Sequence, residues 1–302
     1  MQKLAWNNVG CGVITGGASG IGLETARQIC ERRASGTSSF LSQIDLLYLC
    51  DINERLGKSV VDELNEKYSD STRVKFVSLD VTNLDAFIEL IEEEMAADSA
   101  SVRLWINNAA IKLNDAVYFS MKPTQEAFDH LWKVLEVDLK AVIVGTKMAT
   151  DTMAKHGLEG CIVNVSSMAG VVALPYAPIY AAAKHGVVGF TRSVGMLAPP
   201  KIRVNTFCPS FTATPFTDGL MSDASDGMKK LVRSTGPLLE VSKVAGALVD
   251  LIMDETAHGR VLRVSNESGV SVQRYPDDIG FRPVGGSSSQ RGRGGSKGRA
   301  KM

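Results

Sequence analysis

Val9-Gly10-Cys11-Gly12-Val13-Ile14-Thr15-Gly16-Gly17-Ala18-Ser19-Gly20-Ile21-Gly22 is the stretch on which the fold turns. Val9 to Ile14 reads as a short apolar strand, and Leu23 to Arg32 carries helical spacing, so the glycines lie between a strand and a helix. Gly16, Gly20 and Gly22 allow a tight turn, close backbone approach and a helix amino terminus aimed at a phosphate group. A lone glycine run is also an ordinary turn. Between a strand and a helix it reads as a phosphate cradle, with Ser19 and Ile21 beside the bound group.

The next segments extend the pattern. Ile44 to Cys50 forms a second apolar strand ending at Asp51, where a dinucleotide fold sets an acid against the adenosine ribose. A 2′-phosphate there would meet a carboxylate, and neither Ala18 nor Ile52 supplies a guanidinium to offset the repulsion, so Asp51 points to NAD over NADP. The other reading of Asp51 is a strand-end acid that caps the next helix. A third strand, Val74 to Leu79, ends in Asp80-Val81, suited to flank an adenine. A fourth, Val102 to Ile106, runs into Asn107-Asn108-Ala109-Ala110. Helical stretches at Ser59 to Tyr68, Asp85 to Ala97, Ala127 to Met153 and Ser242 to Met253 alternate with these strands. The expectation is an α/β fold of Rossmann type, a doubly wound parallel sheet with helices on both faces in a single domain. Arg32 to Ser42 is a lengthened loop expected on the surface.

Chemistry enters at Tyr180-Ala181-Ala182-Ala183-Lys184, preceded by Ser166-Ser167. On a helix the spacing of four puts the phenol and the ammonium on one face, about one turn apart. Tyrosine has a reference pKa of about 10 and is a poor base at neutral pH until its phenolate is stabilised. A drop of about three units needs about 4 kcal/mol, the order of the attraction between unit charges about 4 Å apart at an effective dielectric of 20. Ser167 lies 13 positions before Tyr180, far enough for a strand end and a returning loop to bring its hydroxyl beside the phenol. Tyr-x-x-x-Lys alone also occurs on solvated helix faces; the cofactor loop is what gives it weight.

Together these motifs resemble the short-chain dehydrogenase/reductase family: Thr-Gly-x-x-x-Gly-x-Gly, Asn-Asn-Ala, a serine and Tyr-x-x-x-Lys stand in the family's order over roughly residues 9 to 272. Gly160 to Ser193 and Gly259-Arg260-Val261-Leu262-Arg263-Val264 are similar to its NAD-dependent 15-hydroxyprostaglandin dehydrogenase branch. The resemblance implies that Tyr180 takes the hydroxyl proton of a secondary alcohol as hydride passes to NAD. It also implies that Lys184 lowers the tyrosine pKa and holds the ribose, and that Ser167 positions the oxygen. Cofactor contacts are implied for Gly16, Ser19, Gly20, Ile21, Gly22, Asp51, Ile52, Asp80, Val81, Asn107, Tyr180, Lys184 and Thr214. A homodimer or homotetramer built through the helices that carry Asp138 and Tyr180 is implied as well.

Three departures from the family pattern stand out. Asp138 replaces an asparagine that completes a water-linked proton relay to the lysine in relatives. Ionised near Lys184 it would weaken the lysine's field and raise the working pKa of Tyr180; facing away it would simply be solvated. Ala110 and Ser210 each put a side chain where relatives have glycine.

The segments expected to roof the nicotinamide, Met168 to Pro178 and a lid over about 211–240, are mostly apolar. Val171, Val172, Leu174, Phe211, Phe216, Leu220, Met221, Met228 and Leu231 could line a cleft for a large apolar alcohol or ketone of lipid, terpenoid, polyketide or steroid type. They could equally pack the lid. A different class of function stays open, a nucleotide-binding regulatory protein on the same fold with weakened catalysis.

Composition narrows the partners. The 302 residues carry 33 Lys and Arg against 33 Asp and Glu, with 44% hydrophobic residues. No apolar run is long enough for a membrane span, and no metal-ligand spacing is present. Cys11, Cys30, Cys50, Cys161 and Cys208 are an odd number and read as reduced thiols of a reducing, cytoplasmic setting. Met1 to Asn8 has no signal-peptide pattern. Residues 1–283 form the NAD-binding domain; residues 284–302 form a disordered Gly/Ser/Arg-rich tail too short and aromatic-poor to argue for nucleic acid. Its end, Ala300-Lys301-Met302, loosely resembles a peroxisomal address.

Overall fold

The computed structural model describes residues 9–111, 122, 124–223 and 225–276. Residues 1–8 and the stretch 284–302 with Ala300-Lys301-Met302 lie outside the described residues. Among those described, no helix is long and apolar enough to cross a membrane.

The chain alternates strand and helix. In order it forms β1 Val9–Thr15, α1 Gly20–Ala34, β2 Leu46–Asp51, α2 Glu54–Tyr68, β3 Arg73–Ser78, α3 Leu84–Glu89, α4 Met95–Ala97 and β4 Ala100–Asn107. It continues with α5 Gln125–Leu135, α6 Ala141–Lys155, β5 Gly160–Val165, α7 Pro178–Leu197, β6 Ile202–Pro209, α8 Pro215–Asp223, α9 Asp226–Ser234, α10 Val241–Met253, β7 Val261–Ser265 and β8 Gly269–Val272. The sheet order is β3-β2-β1-β4-β5-β6-β7-β8. Neighbours are parallel up to β7, and β8 closes the edge antiparallel to it. The order reverses between β1 and β4, so the strand ends diverge there and open a crevice where ligands of such folds bind.

The strands are apolar on both faces because helices cover both. Ile14, Leu47, Leu49, Leu104, Ile106 and Val163 point to one side and pack on Ile29, Val60, Leu64 and Leu248. Their alternates Val13, Tyr48, Trp105 and Ile162 point to the other and meet Phe87, Leu90, Ala149 and Met153. Phe87 stacks on Trp105 at 6.1 Å between ring centres. Each such side chain, wholly removed from water, contributes about 1.5–3 kcal/mol.

Two expectations need correction. The stretches read as helices over Asp85 to Ala97 and Ala127 to Met153 are each interrupted by a π turn, at Leu90–Glu94 and at Glu136–Lys140. The second turn takes in one extra residue, and Val137 and Asp138 within it are both buried. Periodicity carries no sign of it. The loop expected over 32–42 begins only after α1 ends at Ala34; it is exposed at residues 35–37, as expected, but Phe40 and Leu41 turn inward and join the α1 side of the core.

Candidate active site

The glycine loop is shaped by steric need. Gly16 and Gly20 have φ of +63° and +55°, which side-chain-bearing residues adopt reluctantly. A Cβ on Gly22 would lie 2.3 Å from the Gly16 carbonyl oxygen, so the first turn of α1 can sit against the loop only without one. Thr15 and Asn108 brace this arrangement from two strands. The Thr15 hydroxyl accepts the Asn108 and Ala109 N–H groups at 3.0 and 3.1 Å, and the Asn108 amide donates to the Thr15 and Gly16 carbonyls at 3.0 and 3.1 Å. Ser19 caps the helix by position but spends no side-chain hydrogen bond there, and the first turn holds no acid. An amino terminus so kept leaves its N–H groups and positive dipole end open to an anion.

Asp51, at the end of β2, accepts the Ala18 N–H at 3.1 Å and the Asn53 N–H at 3.0 Å, which fixes its carboxylate against the loop. Asp80 accepts the Thr82 N–H and hydroxyl at 2.9 and 2.7 Å; these bonds hold its pKa below the usual carboxylate value. Loop, Asp51, Ile52, Asp80 and Val81 all line one cleft of about 1020 Å³. Its dimensions and donors fit a dinucleotide.

The same cleft is lined by Ser167, Tyr180, Lys184 and Thr214. Ser167 follows β5, where its hydroxyl accepts the Ala169 N–H at 3.1 Å and hydrogen-bonds the Tyr180 phenol. Tyr180 and Lys184 stand in the first turns of α7, which starts on Pro178. The Lys184 ammonium is buried, donates to the Val165 carbonyl at 3.4 Å and lies 5.5 Å from the centre of the Tyr180 ring. Behind it, Asp138 Oδ2 is 3.3 Å from Lys184 Nζ, while Oδ1 accepts the Ile111 N–H at 2.8 Å. Asp138 is wholly buried, so it does not face solvent.

Each of these contacts shapes the charge of the site. Burial opposes the charge of Lys184, but Asp138 and Tyr180 more than offset this and hold its pKa above the ordinary value. Burial pushes the Tyr180 phenol up, Lys184 pulls it down, and Asp138 pushes it up again, with a net rise. Burial likewise raises Asp138, against the pull of Lys184. Thiol chemistry has no place here: burial pushes Cys208, the nearby cysteine, up to about 12, and all five cysteines are free and buried.

Not every anticipated side chain reaches the cleft. Asn107 faces the sheet interior: it accepts from Trp105 Nε1 at 2.9 Å and donates to Asn164 at 2.8 Å and Thr146 at 3.2 Å. The second asparagine, Asn108, lines the cleft instead. Strand alternation at the end of β4 was the signal that could have separated the pair. Gly22 packs behind the loop, and Asp138 acts through Lys184 without lining the cleft. Ser210 carries no positive φ; its N–H continues the ladder to the Val264 carbonyl at 2.8 Å.

The lid is stitched at its base, where Leu239 N–H donates to the Phe211 carbonyl and Ala213 N–H to the Leu239 carbonyl, each at 2.9 Å. Val172, Leu174, Phe211, Phe216, Leu220, Met228 and Leu231 line the cleft, with the Phe216 ring 6.3 Å from that of Tyr180. Val171 and Met221 instead pack beneath the roof and within the lid. Among the described residues no group of three or more His, Cys, Asp or Glu is arranged to hold a metal.

A family model described as short chain dehydrogenase matches residues 11–225. Cyclopentanol dehydrogenase of Comamonas testosteroni is 32% identical over 258 residues, covering 83% of this chain and 94% of that one. The bovine (Bos taurus) enzyme named 15-hydroxyprostaglandin dehydrogenase (NAD(+)) is 28% identical over 281 residues, covering 87% and 93%. Among solved structures, an actinorhodin polyketide ketoreductase with NADPH superposes with a TM-score of 0.71 at 23% identity, covering 89% of this chain and 99% of the other. That likeness speaks to the fold alone.

Proposed function

The chain belongs to the short-chain dehydrogenase family, and from that premise we propose that it is an NAD-dependent dehydrogenase that oxidises a large, apolar secondary alcohol to a ketone, with Tyr180 as the base. One observation carries the reading: Ser167, Tyr180 and Lys184 line the same cleft as the glycine loop and the amino terminus of α1. The bound cofactor would supply the hydride acceptor. The protein's own work is to position and to move a proton.

Ser167 would donate to the carbinol oxygen and set it beside Tyr180, which takes its proton. Lys184 would favour the phenolate across 5.5 Å and reach the ribose. Gly16, Ser19, Gly20 and Ile21 would hold the pyrophosphate, Asp51 the adenosine ribose, and Thr214 the carboxamide end. Asp51 supports NAD, since a 2′-phosphate there would face a carboxylate. Leu174, Phe211, Phe216, Leu220 and Met228 support an apolar substrate and exclude water from the reacting centre.

The test is formation of NADH, read by fluorescence, with a panel of hydrophobic secondary alcohols. Tyr180→Phe is expected to abolish turnover while NAD still binds. Turnover retained by that variant removes Tyr180 from the mechanism, and cofactor binding without turnover by the unaltered protein favours the regulatory reading.

A further inference from the structure

Charge divides the cleft into two unlike halves. Asp51, Asp80, Lys133, Lys184 and Glu267 are its charged lining residues among those described. Asp51 ends β2, Asp80 follows β3, and Lys133 acts on Asp80. All three belong to the side of the switch point that holds the cofactor's adenosine.

Glu267 lies on the other side, in the turn after β7. Five strand steps separate β2 from β7 in the sheet, about 24 Å at roughly 4.8 Å per step. Two steps, about 10 Å, separate β7 from β5 and its Ser167. The turn is fastened to the lid, because the neighbouring Asn266 amide donates to the Thr235 and Pro237 carbonyls at 3.1 and 2.6 Å. Ser234, Thr235 and Gly236 at the end of α9 line the same end of the cleft. Glu267 is thus an exposed carboxylate at a fixed place on the rim of the substrate half.

No described lining residue of that half balances it. Lys184 is the cation there, and Asp138 neutralises it at 3.3 Å with both groups buried. An anionic substrate would therefore meet repulsion at the rim and find no net attraction at the centre.

We propose that Glu267 is a specificity determinant that selects neutral or cationic alcohols and rejects those with an anionic group about 10 Å from the carbinol carbon. The proposal rests on the dehydrogenase reading for its substrate, and deepens it. A rim charge is screened by solvent and salt, so discrimination of about three- to tenfold is expected at low ionic strength.

The probes are secondary alcohols on one decane chain, identical except that the far end bears a carboxylate, a methyl ester or an amine. For the unaltered protein, kcat/KM should be about three- to tenfold lower for the carboxylate than for the ester, with the amine at or above the ester. Glu267→Gln should collapse the ratio, and Glu267→Lys should invert it. Dissociation constants of the matching ketones on the protein with NADH bound give the second readout. Selective binding without turnover upholds the assignment of Glu267 while removing the dehydrogenase reading. Equal handling of carboxylate and ester by the unaltered protein, or a ratio that survives Glu267→Gln, overturns it.

Discussion

Replacing Asp138 by asparagine isolates the charge that sets this site apart. The carboxamide keeps an oxygen to accept the Ile111 N–H, now at 2.8 Å, and nearly the same shape; it removes one buried negative charge. The legs of 3.3 Å from Asp138 to Lys184 and 5.5 Å from Lys184 to the Tyr180 ring centre bound the distance from carboxylate to phenol ring at about 9 Å. Unit charges about 9 Å apart at an effective dielectric of about 20 interact by about 1.8 kcal/mol, or roughly 1.3 pH units. Asp138 disfavours the phenolate, so its removal lowers the Tyr180 pKa and moves the acid limb of alcohol oxidation down by about one pH unit. Lys184, held above its ordinary pKa by the same carboxylate, falls as well, so the alkaline limb moves in the same direction. The assay is the pH profile of kcat/KM for oxidation at saturating NAD, with the phenolate absorbance titrated in parallel. An acid limb that stays in place or rises would falsify the electrostatic role given to Asp138.

Asp51→Ser should raise kcat/KM with NADP by about tenfold or more, since a carboxylate a few ångströms from a phosphate costs about 2–4 kcal/mol at an effective dielectric of about 20; an unchanged ratio of NAD to NADP efficiency refutes the ribose assignment. Gly22→Ala forces a Cβ to within 2.3 Å of the Gly16 carbonyl and 2.7 Å of the Asn108 amide. The strain, about 1–3 kcal/mol, should appear as a lowered Tm and NAD affinity reduced about tenfold, and a variant that binds NAD normally would show that the loop yields.

The fold was legible because its signals are local. A strand, a glycine turn and a helix succeed one another within Val9 to Arg32, and the strand ends at Asp51 and Asp80 stand where the pattern puts them. Ser167, Tyr180 and Lys184 could be anticipated because helix spacing and a strand end suffice to converge them. The features that escaped depend on backbone geometry that composition does not encode. Asn107 and Asn108 are chemically identical, and only the pleat of β4 decides which enters the core. There Asn107 meets Asn164, Thr146 and, through Asn164, Thr191, a buried polar chain whose members lie far apart in sequence. Gly145 makes room for it, as a Cβ there would stand 2.2 Å from Asn107 Oδ1. Glu267 was missed because it reaches the cleft through the turn after β7, a connection without any motif.

The π turn at Glu136–Lys140 makes the charge of the site a matter of chain register as well as of residue identity. Losing one residue from the turn would restore a plain α-helix with α5 and α6 keeping their facing, because the bulge is what absorbs the extra residue. Inside the turn the positions would be redealt, so which side chain meets Lys184 depends on the register there with no side chain exchanged. In a lineage of such proteins, a single-codon insertion or deletion on this helix is therefore a route by which the proton chemistry of Tyr180 can be reset, and one that comparison of aligned residues alone would pass over.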